Sequence, residues 1–191
     1  MTERRARRWS AALLLEALSL GACIATGDQT DPRLDTLFGR LVNAPNARLA
    51  ADVEQEIWRI WFTHEDATAE DLLERARERA QGGEVASANA LFGQLVEDYP
   101  GYAEAWNQRA ILRYLQGELE ASLADIERTL TLEPRHFGAL SGRGQCLLRL
   151  ERYREAAAAF EEALAVNPWL DAVRMQLKMI EPLLNEAPRA I

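Results

Sequence analysis

Positive charge is scarce in this sequence, and its scarcity limits the partners that the chain can bind. The 191 residues carry 22 lysine and arginine side chains against 30 aspartate and glutamate side chains, a formal net charge of −8 at pH 7. An acidic surface keeps a protein in solution and repels phosphate backbones and anionic lipid headgroups. We therefore expect no nucleic-acid partner, and contact with a membrane only through a lipid anchor.

Groups that carry out catalysis or bind metals are also few. The chain has two cysteines and two histidines, no glycine-rich phosphate loop, and no serine or cysteine placed with a histidine that could activate it. Cys146 falls in the middle of a helical pattern, where a small buried thiol is the expected role. His64 precedes Glu65 and Asp66, but adjacent residues cannot form a closed tetrahedral metal site without other ligands. The sequence therefore predicts a protein that is not an enzyme and holds no cofactor or metal.

An apolar run long enough to span a membrane, about 20 residues, is absent. The apolar stretch from Ala11 to Ile24 is interrupted by Glu16, follows four arginines and precedes small residues. This is the layout of a secretory signal peptide, so we interpret residues 1–25 as a leader cleaved near Ala25 and expect an exported, periplasmic protein. The alternative is an N-terminal amphipathic helix on a cytoplasmic protein.

The end of this stretch, Leu20 to Cys23, also resembles the lipobox of bacterial lipoproteins. In a lipobox the cysteine is acylated and becomes the first residue of the mature chain, so lipidation at Cys23 is the alternative to simple cleavage. In either case Cys146 is the thiol that remains, and the mature chain cannot form an intramolecular disulfide.

What the sequence does contain is a repeat with a period of 34 residues, marked by Pro100, Pro134 and Pro168. Within each unit, large and small apolar residues recur at spacings of four and seven, which places them on one face of a helix. Glycine separates the two halves of the first two units, and glycine is the residue that a left-handed helix exit favours. Proline then stops the second helix of each unit. Each unit is therefore predicted to be a helical hairpin in an all-α protein. The units are 69–102, 103–136 and 137–170.

The order of features within each unit matches that of a known family. A large residue at position 4, a small one at 8, a turn at 15, a small one at 20, an aromatic or aliphatic one at 24 and proline at 32 resembles the tetratricopeptide repeat. The resemblance is closest in the third unit, although Glu151 stands where glycine is typical. It implies an α-solenoid, a right-handed superhelix of hairpins in which the first helices line a concave groove.

The chain before the repeats has the pattern of a cap. Asp31 and Pro32 form a favourable helix start, and apolar residues at helical spacing then continue through two amphipathic runs. A solenoid end must be closed by an atypical unit, so we expect a helical hairpin at 31–66 that lies against the first repeat. Trp58 and Trp61 are expected to help to bury this cap, because aromatic rings bury large areas.

The chain after the repeats has the pattern of a single capping helix at 171–184. Val173 and other apolar residues share one face of this helix, whereas Met175 and Met179 fall on another. Pro182 is expected to end or kink it.

Two contacts are predicted inside the second unit. An arginine stands at position 7 of every unit, where the family usually has leucine, and an inward-pointing arginine needs a carboxylate. Asp125 on the facing helix is the expected partner of Arg109. Trp106 is expected to pack against the second helix near Ile126. The recurring arginines are Arg75, Arg109 and Arg143.

The resemblance implies a function through the groove. In this family the first helices hold a segment of another protein, so we expect a non-enzymatic interaction module that binds a protein or peptide partner. The alternative is an envelope structural or assembly lipoprotein tethered through Cys23, in which the repeats space other proteins. Carried over position by position, the groove residues are Arg77, Asn107, Ile111, Tyr114, Leu115, Ser141, Gln145, Leu148 and Arg149.

Overall fold

The computed structural model describes residues 28–186, and every regular element in that part of the chain is an α-helix. The interpreted leader and Cys23 lie outside the described residues. None of the described helices is long and apolar enough to cross a membrane. The helices are α1 (Arg33–Val42), α2 (Ala47–Phe62), α3 (Ala67–Gln81), α4 (Val85–Asp98), α5 (Ala103–Gln116), α6 (Leu119–Leu132), α7 (Phe137–Arg149), α8 (Tyr153–Val166) and α9 (Asp171–Glu186).

The helices from α3 to α8 form a row of hairpins. Within the hairpins α3 packs on α4, α5 on α6 and α7 on α8, while α4 contacts α5 and α6 contacts α7 to join one hairpin to the next. Helix α9 packs on α8, as the first helix of a further unit would. This serial packing of helical hairpins is an α-solenoid, and the predicted fold class is confirmed.

The turn inside each hairpin requires one residue with a left-handed backbone. Gly83 and Gly117 have φ angles of 75° and 81°, and Glu151 holds the equivalent position in the third hairpin with φ 58°. A side chain in this conformation costs about 1–2 kcal/mol, because its Cβ crowds the following carbonyl oxygen. The third hairpin forms despite this strain, with the ring of Phe160 on α8 against Gly144 on α7.

The N-terminal hairpin, formed by α1 and α2, contacts the turns that connect the repeats. At the turn after α8, Trp169 Nε1 donates to the carbonyl oxygen of Leu41 at 3.0 Å. At the turn after α6, Arg135 donates to Asp35 at 2.7 Å. The hairpin therefore reaches the second and third turns directly.

The first turn is held by the residues just before α1. The side chain of Gln29 donates to the carbonyl oxygen of Gly101 at 2.7 Å and accepts from the backbone of Ala103 at 3.1 Å. The N-terminal segment thus contacts all three inter-repeat turns. The hairpin meets the first repeat, as expected, through Phe62, but it also lies on the later turns. Helical periodicity did not indicate these further contacts, because it identifies the buried face of α2 but not the elements that cover it.

Two tryptophans fix the N-terminal hairpin in this position. Trp61 is 1% exposed, and its ring stacks on His136 with the ring centroids 4.0 Å apart. Trp58 meets Phe137 edge-on at 5.3 Å and passes so close to Gly138 that an added Cβ would lie 2.6 Å from the indole. Both tryptophans help to bury the hairpin, as predicted, but they meet the junction between the second and third repeats.

Candidate functional site

The candidate site lies on the first helices of the hairpins. Helix α5 contacts both α3 and α7, so the residues assigned to the groove belong to neighbouring helices. We call the face formed by the assigned positions of α3, α5 and α7 the groove. Its two halves, near the beginnings and near the ends of these helices, differ in exposure.

The half of the groove near the helix beginnings is closed. Leu73 on α3 is buried, Asn107 on α5 is 3% exposed, and Gly138 on α7 lies under the indole of Trp58. Helix α2 covers this half, with Phe62 packed against the core of the first repeat. The expectation that Asn107 faces outward for a partner is therefore wrong.

Asn107 belongs to a buried polar cluster instead. Its amide lies 3.2 Å from both carboxylate oxygens of Glu104, and Gln108 donates to the same carboxylate at 2.6 Å. Nε2 of His136 lies 2.9 Å from Glu104, while Nδ1 of His136 accepts from the backbone of Ala139 at 3.1 Å. Because Nδ1 accepts, the proton is on Nε2 and points at the carboxylate. These groups join α5 to the second turn and stabilise the fold.

The half of the groove near the helix ends is open. Ile111 is 46% exposed and Leu115, one helical turn later, is 72% exposed. Apolar side chains four residues apart are neighbours on one helix face, so these two form a continuous ridge along α5. Arg149 is exposed, and Arg77, Tyr114, Gln145 and Leu148 are half-buried. Ser141 is also half-buried, but it lies near the beginning of α7, one repeat length after Asn107, and its hydroxyl donates to the carbonyl oxygen of Phe137 at 2.7 Å.

A cavity lies on each side of the Ile111–Leu115 ridge. The α3–α5 cavity has a volume of about 250 Å³, with Phe92 and Leu112 in its lining. The α5–α7 cavity has a volume of about 200 Å³, with Tyr114 in its lining. Of the residues that the structure describes, none with a carboxylate lines either cavity. The two cavities are therefore depressions of largely apolar lining without acidic groups, although Arg77 and amide side chains such as Gln108 and Gln145 also line them.

Two arginines of the groove lie against aromatic rings. Arg77 is 4.5 Å from the ring centre of Phe62 and pairs with Glu74 at 2.9 Å. Arg149 is 4.8 Å from the ring centre of Tyr114 and donates to the carbonyl oxygen of Tyr114 at 2.9 Å. Within residues 28–186, no carboxylate forms an ion pair with Arg149. This guanidinium therefore remains able to pair with a carboxylate from outside the chain.

The sequence reasoning missed two exposed residues on the same face. Met175 and Met179 on α9 follow Ser141 and Gln145 by one repeat length of 34 residues, and both methionines are exposed. The repeat register is the pattern that identifies them, because α9 stands where the first helix of a further unit would. By this register Met175 and Met179 stand on α9 at positions equivalent to those of the groove residues on α7.

The contacts predicted inside the second repeat have different outcomes. Arg109 donates to both oxygens of Asp125 at 2.8 and 2.7 Å, which confirms that pair. Trp106 meets the second helix through Arg128, 5.5 Å from its ring centre, rather than through Ile126 as expected. Its indole donates to the carbonyl oxygen of Pro100 at 3.0 Å, and its ring packs against the core of the first repeat. This arrangement joins two repeats, a contact that the periodicity of a single hairpin does not specify.

The other two recurring arginines form ion pairs, and Cys146 is buried. Arg75 pairs with Asp71 on the surface, and Arg143 pairs with Glu162. Burial raises the pKa of the Cys146 thiol, which disfavours the thiolate that a nucleophile requires. In the described part of the chain, no group of three or more histidine, cysteine, aspartate or glutamate residues could hold a metal ion.

Comparison with known proteins identifies similar chains. The family model described as tetratricopeptide repeat matches residues 73–130 and 116–169. A TPR repeat-containing protein of Rhizobium etli is 32% identical over 148 residues, which cover 78% of this chain and 72% of that protein. Subunit 7 of the anaphase-promoting complex of Dictyostelium discoideum is 29% identical over 103 residues, 54% of this chain but only 18% of its own length.

A solved structure supports the fold. The first TPR of Spaghetti (RPAP3), bound to the HSP90 peptide SRMEEVD, aligns with a TM-score of 0.59 at 20% sequence identity. The alignment covers 61% of this chain and 93% of that one. At this level of identity the similarity concerns the fold.

Proposed function

This chain belongs to the tetratricopeptide repeat family, whose domains are protein–protein interaction modules, and on that premise we propose that it binds a protein or peptide in the open half of its groove. The protein acts without catalysis. The observation that carries this proposal is the exposed Ile111–Leu115 ridge with a cavity on each side.

The ridge and its cavities have the properties of a binding surface. Single exposed apolar residues are ordinary on protein surfaces, but an apolar ridge between two depressions offers both side chains to bury and spaces to fill. Burial of apolar surface contributes about 25 cal/mol per Å², and a few anchors at the centre of an interface carry most of its energy. The peptide named in the Spaghetti structure also supports binding of a short segment by this fold.

We place the function in the bacterial envelope because of the leader pattern at residues 1–25, and the relative from Rhizobium is consistent with a bacterial protein. The sequence from Leu20 to Cys23 supports a second candidate, an envelope assembly lipoprotein tethered through Cys23. Mass spectrometry of the mature N-terminus separates the two. A free N-terminus at Thr26 supports the untethered module, and a diacylglyceryl group on Cys23 supports the lipoprotein.

Affinity capture from a bacterial envelope extract tests the binding surface. The double variant Ile111→Asp/Leu115→Asp places charges on the ridge, so capture of partners is expected to fall at least tenfold, whereas exposed substitutions leave stability nearly unchanged. The control is Leu49→Asp, because Leu49 is 45% exposed, matches Ile111 in exposure, and lines neither cavity. Undiminished capture by the ridge variant, with equal melting temperatures, contradicts the proposed binding surface.

A further inference from the structure

The coverage by α2 leaves a strip of groove that is too narrow for a helical ligand. On α5 the exposed residues are Ile111, Leu115 and Gln116, which span five steps of 1.5 Å, or about 8 Å along the helix axis. A ligand helix with its side chains is about 10–12 Å across. An extended segment is narrower, since its nearest neighbours in sheets lie about 4.8 Å away. The open strip therefore fits an extended chain that crosses the helices.

The positions of the two cavities limit the geometry of that chain further. The cavities lie on either side of α5, and neighbouring helices are about 8–10 Å apart, so two anchor side chains must be separated by about that distance. A polyproline-II segment returns a side chain to the same side every third residue, after about 9 Å. A β-strand repeats at about 7 or 13 Å and fits less well.

The two ends of the open strip differ in whether their arginine is paired. Glu74 already neutralises Arg77 beside the α3–α5 cavity, whereas Arg149 beside the α5–α7 cavity pairs with no carboxylate in the described part of the chain. Arg149 is also fixed by its contact with Tyr114, which lines the α5–α7 cavity. A ligand carboxylate next to the anchor in this cavity would therefore meet a positioned guanidinium.

Given the proposed function, we propose that the ligand is a short segment of polyproline-II geometry with two large apolar side chains three residues apart. It carries an aspartate or glutamate next to the anchor that enters the α5–α7 cavity. One carboxylate is sufficient, because the other groove arginine is already paired. This specificity is a property of the partly covered groove rather than of the repeats alone.

Selection from a random twelve-residue peptide phage library on the immobilised full chain tests the inference. Selected peptides are synthesised, and their dissociation constants are measured by fluorescence anisotropy. We expect two large apolar residues three positions apart, with an acidic residue beside one of them. Replacing that acid with its amide should weaken binding by about two- to fivefold, the range of an exposed ion pair.

A double-mutant cycle assigns the effect to Arg149. In the Arg149→Gln variant the acid-to-amide change should have no further effect, whereas in the control Arg152→Gln it should keep its full effect, because Arg152 already pairs with Glu155. Two results overturn the proposed ligand chemistry: the acid-to-amide change keeps its full effect in the Arg149→Gln variant, or the selected apolar anchors have helical spacing. In either case the proposed function stands if Ile111→Asp still abolishes binding. Selected peptides that bind Ile111→Asp as tightly as the native chain overturn the proposed function itself.

Discussion

Replacing Trp61 with alanine tests whether the N-terminal hairpin holds the three repeats together as one folding unit. In a simple solenoid each repeat contacts only its neighbours, and stability is a sum of local terms. Here the N-terminal segment contacts all three inter-repeat turns, through Gln29, Arg135 and Trp169. Trp61 lies at the centre of that contact, on the ring of His136.

The expected cost follows from the burial of Trp61. Its side chain is 1% exposed and lies among the rings of Trp58, His136 and Phe137, with centroids between 4.0 and 5.2 Å away. A fully buried tryptophan replaced by alanine destabilises a protein by about 3–5 kcal/mol. With a urea dependence of about 2 kcal/mol per molar, the unfolding midpoint should fall by about 2 M.

Urea unfolding followed by far-ultraviolet circular dichroism measures the midpoint, and hydrogen exchange measures each helix separately. We expect a single transition at lower urea, together with faster exchange in α1, α2 and the turns around Tyr102 and His136. Trp106→Ala is the matched control, because its indole donates to Pro100 and its ring lies against Arg109 and Arg128 of the second repeat, away from the stacked ring of His136. In one folding unit the control should lower the same single transition and also speed the exchange of the hairpin amides that open only by global unfolding.

Two results would refute this reasoning. A midpoint for Trp61→Ala within about 0.3 M of the native value would show that Trp61 contributes little, against the magnitude typical of buried tryptophans. Loss of protection in α1 and α2 alone, with the repeats unchanged, would show that the hairpin is an independent cap.

Three further predictions concern single side chains. Glu151→Gly should raise the free energy of unfolding by about 1 kcal/mol, because glycine relieves the left-handed strain, and the urea midpoint measures this gain. Asp125→Ala should cost about 3 kcal/mol, since it leaves Arg109 half-buried without its carboxylate, and thermal unfolding checks the loss. Hydrogen bonds from Arg33 hold the pKa of Asp31 below its ordinary value of 3.8. The ionised Asp31 therefore stabilises the fold fully above pH 3.8, and this stabilisation is lost as the pH falls through the lowered pKa. Asp31→Asn should therefore flatten the acid limb of the stability curve below about pH 4, and unchanged acid unfolding would contradict this.

The repeats could be predicted from the sequence because their information is local. Pro100, Pro134 and Pro168 set the period, and the spacing of apolar residues identified the helix faces, so the all-α solenoid followed. The Arg109–Asp125 pair followed as well, because an inward arginine on one helix of a hairpin meets the facing helix.

Contacts between distant segments could not be predicted in the same way. The hairpin α1–α2 has an apolar face that could pack against any other apolar surface. The helical pattern therefore does not indicate that this face lies on the inter-repeat turns. The same cause explains Asn107, which occupies a groove position of the family but is covered here by α2 and bound by Glu104. The family register assigned residues in both halves of the groove, and only the tertiary fold shows which half is open.

Site-specific photo-crosslinking in the cell tests the central claim most directly. A benzoylphenylalanine at position 115, in place of Leu115, stands on the exposed ridge, and the same residue at position 49, in place of Leu49, stands on the N-terminal hairpin away from both cavities. We predict a discrete crosslinked partner from position 115 and none of that mass from position 49. Crosslinks to the same partner from position 49 alone would contradict binding through the groove.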